Sequence, residues 1–271
     1  MFTTIVIGVD GRPGGQDAIA LARRLASPST DLIAVHVALD GNDVEAAERV
    51  LARTISAAPD LRGELFIADG VASGLHEVAA STKADLLVVG SSHRGPLGRL
   101  ALGDDSRKVL RDARCAVAVA PAGYHARRGA ITSIGVGCAG RLQDEGALAL
   151  ARTVAADEHA ELRALHVVDV PAWVPVEVVA ATDDRARALA TSQAELDALE
   201  GVTGESRPGA RVEELRKLAD DVDLLVLGAR HHSRVERLLV GSTVDALAAH
   251  ASSPLLVAPA NVRTTTIVGG G

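Results

Sequence analysis

One stretch of the chain occurs twice. Leu86-Leu87-Val88-Val89-Gly90 continues through Ser91-Ser92-His93-Arg94-Gly95 to Gly103, and Leu224-Leu225-Val226-Leu227-Gly228 continues through Ala229-Arg230-His231 to Gly241. The outer glycines stand 13 apart in both, and an Arg-Leu pair precedes the second glycine each time, Arg99-Leu100 and Arg237-Leu238. A pattern kept at fixed internal spacing marks a duplicated unit. Its flanks repeat as well. Residues 131–137 answer the first strand at an offset of 129, His166 answers His36, and Leu255 to Pro259 answers Val117 to Pro121 at an offset of 138. With 271 residues, each copy is long enough to bury its own core, so two domains are expected, 1–122 and 130–260, joined by a polar bridge.

Within each copy, short apolar runs rich in β-branched residues alternate with stretches of helical periodicity. The first copy predicts strands at 4–9, 32–37, 64–68, 85–89 and 116–120. Between them lie helices at 17–26, 44–57, 71–80 and 104–112, the first stopped by Ser27-Pro28. The second copy predicts strands at 131–137, 162–167, 202–207, 224–227 and 255–258, with helices at 183–199 and 212–219. The fold class is α/β: two tandem doubly wound, Rossmann-like units, each a five-stranded parallel sheet with helices on both faces. Hydrophobic residues make up 48% of the chain but aromatics only 1%, so the layers must interlock through Ala, Val, Leu and Ile.

The charge balance excludes some partners. Lys and Arg number 28 against 35 Asp and Glu, and a net charge of −7 opposes a phosphate backbone, so nucleic acid is not expected. No apolar run approaches the ~20 residues of a membrane span, and the first residues enter a strand pattern without a signal peptide. A cytoplasmic protein with no membrane partner is the expectation. Cys115 and Cys138 sit beside strands and read as small buried hydrophobes.

In an open parallel sheet, ligands bind beyond the carboxyl ends of the strands, where the winding direction reverses; strands one and four are the expected neighbours there. A glycine after strand four lets backbone approach a ligand, and Gly241-Ser242-Thr243 offers amides and hydroxyls at a helix start, which favours phosphate. Arg94, Arg230 and Arg234 could add charge-assisted bonds.

With this pattern of Gly, two residues, Gly, nine residues, Gly and Ser or Thr, the chain resembles the universal stress protein family over both halves. Two linked copies resemble its tandem members. The resemblance implies five-stranded units pairing side by side, as an intrachain pseudo-dimer or a homo-oligomer. It also implies ATP or AMP, with Mg2+ admitted alongside, bound between strands one and four in a sensor or regulatory role in stress response. No catalytic residues are implied, and at most weak ATP hydrolysis. By position, the first copy offers Gly8, Asp10, Val37, Gly90, Ser91, Arg94, Gly95 and Gly103 as the nucleotide site. The second offers Gly137, Val167, Asp169, Gly228, Arg230, Gly241, Ser242 and Thr243. Both copies depart from the motif: His93 and His231 replace its second glycine, Asp104-Asp105 stand where Ser or Thr belongs, and Ala139 aligns with Asp10. Two acids repel phosphate, so the second copy is the expected phosphate site. A scaffold that has lost its ligand is the rival reading.

Other motifs compete less well. Gly135-Val136-Gly137-Cys138-Ala139-Gly140 spells a dinucleotide fingerprint and would make the chain an NAD-binding enzyme, but the first copy has Val6 in place of Gly135. The run from Gly90 to Gly95 lacks the lysine of a P-loop. Ser91, Ser92 and His93 are adjacent and form no nucleophile and base pair. His231-His232 has no further metal ligand at suitable spacing, His36 and His166 read as satisfied structural residues, and Asp85 and Asp223 read as turn residues. Trp173, in a loop that the first copy lacks, reads as a packing plug.

Overall fold

The computed structural model of the chain describes residues 2–39, 44–91, 104–127, 129–138, 145–169, 183–228, 242–250 and 252–259. In chain order the elements are β1 (Phe2–Gly8), α1 (Pro13–Leu25), β2 (Ala26–Leu39), α2 (Val44–Ala57), β3 (Arg62–Ala68), α3 (Val71–Ser81), β4 (Leu86–Gly90), α4 (Asp104–Asp112) and β5 (Ala116–Ala120). A 3-10 turn over Tyr124–Ala126 leads on to β6 (Ser133–Cys138), α5 (Glu145–Glu158), β7 (Glu161–Asp169), α6 (Asp183–Asp197), β8 (Thr203–Gly209), α7 (Arg211–Asp221), β9 (Leu224–Gly228), α8 (Ser242–His250) and β10 (Leu255–Ala258).

The described strands form one sheet in the order β3-β2-β1-β4-β5-β10-β9-β6-β7-β8. Pairing is parallel within each half, and β1 lies against β4 with Ile5 opposite Leu86 and Ile7 opposite Val88, as expected from the sequence. The seam between halves is antiparallel: Val117 faces Val257, Ala118 faces Leu256 and Val119 faces Leu255. Each half thereby covers the other's open edge, leaving β3 and β8 as outer edges. The two five-stranded units expected from sequence are thus halves of one ten-stranded sheet.

The apolar runs are continuous because both faces are covered. Ile5 and Ile7 point to one face, where Ala18, Leu21, Ala22 and Leu25 of α1 meet them; Val6 points to the other, with Leu75 and Val78 of α3 and Val109 and Leu110 of α4. Both hydrophobic layers run through both halves. Arg111 on α4 adds an ion pair across the seam to Asp245 on α8 at 3.2 Å.

Three local differences have physical causes. The first helix begins at Pro13, whose missing N–H is harmless at the first helical position. Ala26, Ser27 and Pro28 belong to β2, because Thr30 Oγ1 accepts from Ser27 N at 2.9 Å and donates to Phe2 O at 2.8 Å, tying the segment to β1. The helix over Glu145–Glu158, hidden by its alanine-rich sequence, fills the place of α1 in the second half.

Asp85 and Asp223 are strand latches as well as turn residues. Asp85 Oδ2 accepts from Thr3 N at 2.7 Å, Thr3 Oγ1 at 2.5 Å and Thr4 N at 3.0 Å, fastening the entry of β4 to that of β1. Asp223 does the same for β9 and β6, accepting from the N–H and hydroxyl groups of Thr132 and Ser133 at 2.8 to 3.0 Å. Partial burial opposes ionisation of both carboxyls, but these donors outweigh it and hold both below the usual carboxylate range. A carboxyl that gives up its proton more readily in the folded chain stabilises it above the ordinary value of about 4, and that contribution is lost as pH falls through the folded value. Asp85→Asn and Asp223→Asn are each expected to cost about 1–2 kcal/mol at neutral pH and to flatten the acid limb of stability. Urea unfolding between neutral and acid pH measures both effects; equal pH slopes in variant and parent would refute the latch.

Candidate functional site

A cleft of about 1160 Å³ opens at the carboxyl ends of β1, β2 and β4. It lies where the winding reverses, since β1 leads outward to β2 on one side and neighbours β4 on the other. Its two ends differ. Toward β2 and α2 the walls are Val37, Leu39, Ala46, Ala47 and Val50, a slot without charge. Toward β4 and the segment after β5 the walls are polar: Arg12, Ser91, Asp105, Ser106 and His125.

Of the first-copy residues expected at a nucleotide site, Gly8, Asp10, Val37, Gly90 and Ser91 all line this cleft. Arg94, Gly95 and Gly103 lie outside the described residues, as does His93. Asp10 Oδ1 accepts from Arg12 N at 3.0 Å, and its other oxygen pairs with Arg12 Nη1 at 3.4 Å, both side chains well exposed. Gly90 is there for contact: a Cβ on it would sit 2.0 Å from Gly14 O, so the start of α1 crosses directly over the end of β4. Ser106 Oγ donates to Gly90 O at 3.1 Å, closing the start of α4 onto the same point. Asp104 and Asp105 open α4 as expected.

Among the described residues that line the cleft, Ser91 Oγ and His36 Nδ1 are buried without a hydrogen-bond partner. Such groups cost about 1–3 kcal/mol each unless something fills the site. His36 is therefore not the satisfied structural residue expected, whereas His166 matches the expectation, its Nδ1 lying 3.1 Å from Cys138 O. At a burial of only 4%-exposed surface, Ser91 lies as deep as the core.

Asp17 and His125 were not legible as site residues. Asp17 is fully buried on α1, where its carboxylate accepts from Gly123 N at 3.0 Å, His125 N at 2.9 Å and His125 Nδ1 at 2.6 Å. The bridge after β5 is thus anchored to α1, and Arg127 stacks over Tyr124 at 5.7 Å. One signal existed: Asp17 stands four residues before Leu21 and eight before Leu25, on the helix stripe that faces the core.

In the second half, Gly137 and Val167 lie inside β6 and β7, and Gly228 ends β9. Asp169 ends β7 and pairs with Arg211 at 2.6 Å. Ser242 and Thr243 open α8, while Arg230, Gly241, His231 and Ala139 lie outside the described residues, as does Trp173. Gly135 and Gly137 both sit within the strand, and a Cβ on them would meet Leu218 of α7 at 3.0 Å and Leu215 of α7 at 2.9 Å. They serve helix packing, whereas a dinucleotide fingerprint needs its second glycine in the turn against the pyrophosphate.

Among the described residues no cluster of three or more His, Cys, Asp or Glu could hold a metal ion, and no helix is long and apolar enough to cross a membrane. Neither cysteine is in a disulfide, and burial pushes the Cys115 thiol up to about 11, which leaves it unreactive.

Comparison with known proteins bears on the whole chain. The model of the universal stress protein family matches residues 67–121 and 131–259. A universal stress protein of Mycobacterium tuberculosis is 32% identical over 198 residues, 67% of this chain and 64% of that protein. A universal stress protein of Thermus aquaticus is 31% identical over 133 residues, 43% of this chain and 97% of that protein. Among solved structures, a universal stress protein from Archaeoglobus fulgidus superposes with a TM-score of 0.70 at 16% identity, covering 95% of this chain and 98% of the other. One from Pseudomonas aeruginosa gives 0.69 at 18% identity, covering 95% and 93%. At these identities the structures speak for the fold alone. Together with the family match across both halves, they establish that the chain belongs to the universal stress protein family, as a tandem, two-unit member.

Proposed function

We propose that the chain is a cytoplasmic sensor or regulatory module of the stress response that binds an adenine nucleotide, AMP or ATP, in the cleft of its first half. The two halves are taken as domains 1–122 and 130–260. The observation that carries this reading is the graded cleft. Its apolar slot of Val37, Leu39, Ala46 and Val50 has the character of a base pocket, and its opposite end holds a buried hydroxyl, Ser91, without a partner. The volume exceeds what a mononucleotide requires. Among the described residues no base is bonded to Ser91, which supports binding rather than turnover as the function. A Mg2+ ion would enter with the ligand's phosphates.

The test is calorimetric titration with adenosine, AMP and ATP of the parent chain and of Ala46→Trp, which fills the apolar slot from α2. The parent is expected to bind, and the variant to lose at least about tenfold in affinity for all three, since a blocked base pocket removes a contribution they share. Absence of binding by the folded parent would favour a scaffold whose clefts have lost their ligand, the reading to which Asp105 in the cleft lends weight.

A further inference from the structure

We infer that the outer edge of β3 is an interface on which a second copy of this chain docks, β3 against β3 and antiparallel about a two-fold axis. Nothing in this interface depends on a ligand in the cleft.

The two outer edges of the sheet are finished differently. On β8 the side chain of Gln193, from α6, stands in for a further strand: its Oε1 accepts from Ser206 N at 2.8 Å and its Nε2 donates to Gly204 O at 3.1 Å. Nε2 also donates to Asp197 Oδ1 at 2.8 Å, which fixes the amide. The next outward position on this edge is Pro208, which has no N–H to offer a neighbour. With its backbone groups plugged or removed, β8 is closed to another strand.

At the same positions β3 has neither device. Gly63 stands opposite Ala34 and Leu65 opposite His36, just as Gly204 stands opposite Ala164 and Ser206 opposite His166. Ile67 therefore answers Pro208 and keeps its N–H. A Cβ on Gly63 would meet Ile55, and one on Gly204 would meet Leu196, so the helix positions three before each, Ala52 and Gln193, answer one another too. Ala52 is exposed and has no side-chain polar group with which to plug the edge.

The hydrogen-bond pattern of the first half gives the same outward residues independently. Val35 O accepts from Val9 N at 2.9 Å, so the peptide groups of Val35 face β1. Successive residues of a parallel strand turn these groups to opposite sides, so those of His36 face β3 and bond Glu64 and Phe66, the residues flanking its partner Leu65. Gly63, Leu65 and Ile67 then present their N–H and C=O groups away from the sheet.

This edge is complementary to itself. With Leu65 opposite its own copy, Gly63 of each chain faces Ile67 of the other, and all three outward residues exchange N–H and C=O groups. The side chain of Ile67 is 52% exposed. It shares the α2 face with Gly63, whose Cβ would point to Ile55 and Leu51. In the pair it lies over a glycine, in the room a side chain would fill, next to Ile55 and Leu51 of the second copy. The same axis lays the two α2 helices antiparallel on one face, so that the exposed Glu45 and Glu48 of one run beside the exposed Arg49 and Arg53 of the other. A register with Glu64 opposite Glu64 would instead set like charges together. Antiparallel edge pairing is already the way this fold joins like edges, at the seam of β5 and β10.

The experiment is sedimentation velocity of the full chain from low micromolar to submillimolar concentration, with hydrogen exchange of single amides followed by NMR over the same range. The parent is expected to dimerise, and the amides of Gly63, Leu65 and Ile67 to exchange more slowly as concentration rises while that of Ser206 does not change. Ile67→Pro and Ala52→Gln, which copy the two devices of β8, should each weaken the dimer at least about a hundredfold. Circular dichroism checks that both keep the fold; should Ile67→Pro lose it, Ala52→Gln, at an exposed helical position, decides. A parent that stays monomeric throughout would overturn the inference. So would a dimer that neither folded variant weakens, or one in which the β3 amides exchange as fast as in the monomer.

Discussion

Gly90→Ala is expected to lower stability by about 3 kcal/mol, or roughly 8 °C in Tm for a chain of this size. The new Cβ would lie 2.0 Å from the carbonyl oxygen of Gly14 and 2.5 Å from its carbon, both backbone atoms at the start of α1. No side chain can swing away to relieve this, so the helix must shift from the end of β4. Its neighbour provides the contrast. Gly14→Ala places a Cβ 3.1 Å from Ser91 O, which a movement of a few tenths of an ångström relieves, and less than about 1 kcal/mol is expected. Thermal and urea unfolding of the two variants measure the difference. Equal stabilities would mean that α1 does not cross β4 as described. Because the same contact shapes the cleft between Arg12 and Ser91, Gly90→Ala should also weaken any ligand that binds there.

Asp17→Ala is expected to be comparably damaging, at about 3 kcal/mol. The loss is not of a surface ion pair. A fully buried carboxylate meets two backbone N–H groups and one imidazole N–H, and removing it leaves the backbone donors of Gly123 and His125 without an acceptor. Asp17→Asn keeps the volume and one acceptor oxygen but turns an NH2 toward the remaining donors, and should recover only part of the loss. The damage should be local as well as global. With its anchor gone, the bridge between the halves opens, and trypsin should cut after Arg127 faster than in the parent. Unchanged cleavage and unchanged unfolding would show that the bridge is held by other contacts, such as the burial of Tyr124.

The sequence made the architecture legible because the architecture rests on short-range regularities. Continuous apolar runs at β1, β4, β9 and β10 can only be strands covered on both faces, and the duplicated glycine spacing fixed the order in which they recur. The side-by-side pairing of the two units was implied by the resemblance, while the strands that join them, β5 and β10, and their register, Ala118 against Leu256, depend on long-range contacts that no local pattern encodes. The site was legible where it is made of backbone: Gly8, Asp10, Val37 and Gly90 stand at strand ends, and strand ends are predictable. It was not legible where it is made of distant side chains. Asp17 and His125 are 108 positions apart, and only the return of the chain past the end of β5 brings them together. His36 and His166 occupy matching strand positions, yet Nδ1 of His166 meets Cys138 O whereas Nδ1 of His36 is buried without a partner among the described residues. The expectation that the second half carries the phosphate site rested on Gly241, Ser242 and Thr243; Ser242 and Thr243 open α8, while Gly241 lies outside the described residues. The proposal made here is built on the cleft of the first half.

Hydrogen–deuterium exchange with and without saturating AMP tests the central claim most directly, because it locates the ligand without altering a residue. A nucleotide in the first cleft should slow exchange in segments 8–15, 35–39, 89–91 and 123–125, the stretches that line it. Protection confined to the second half, or none at all at saturation, would contradict the account.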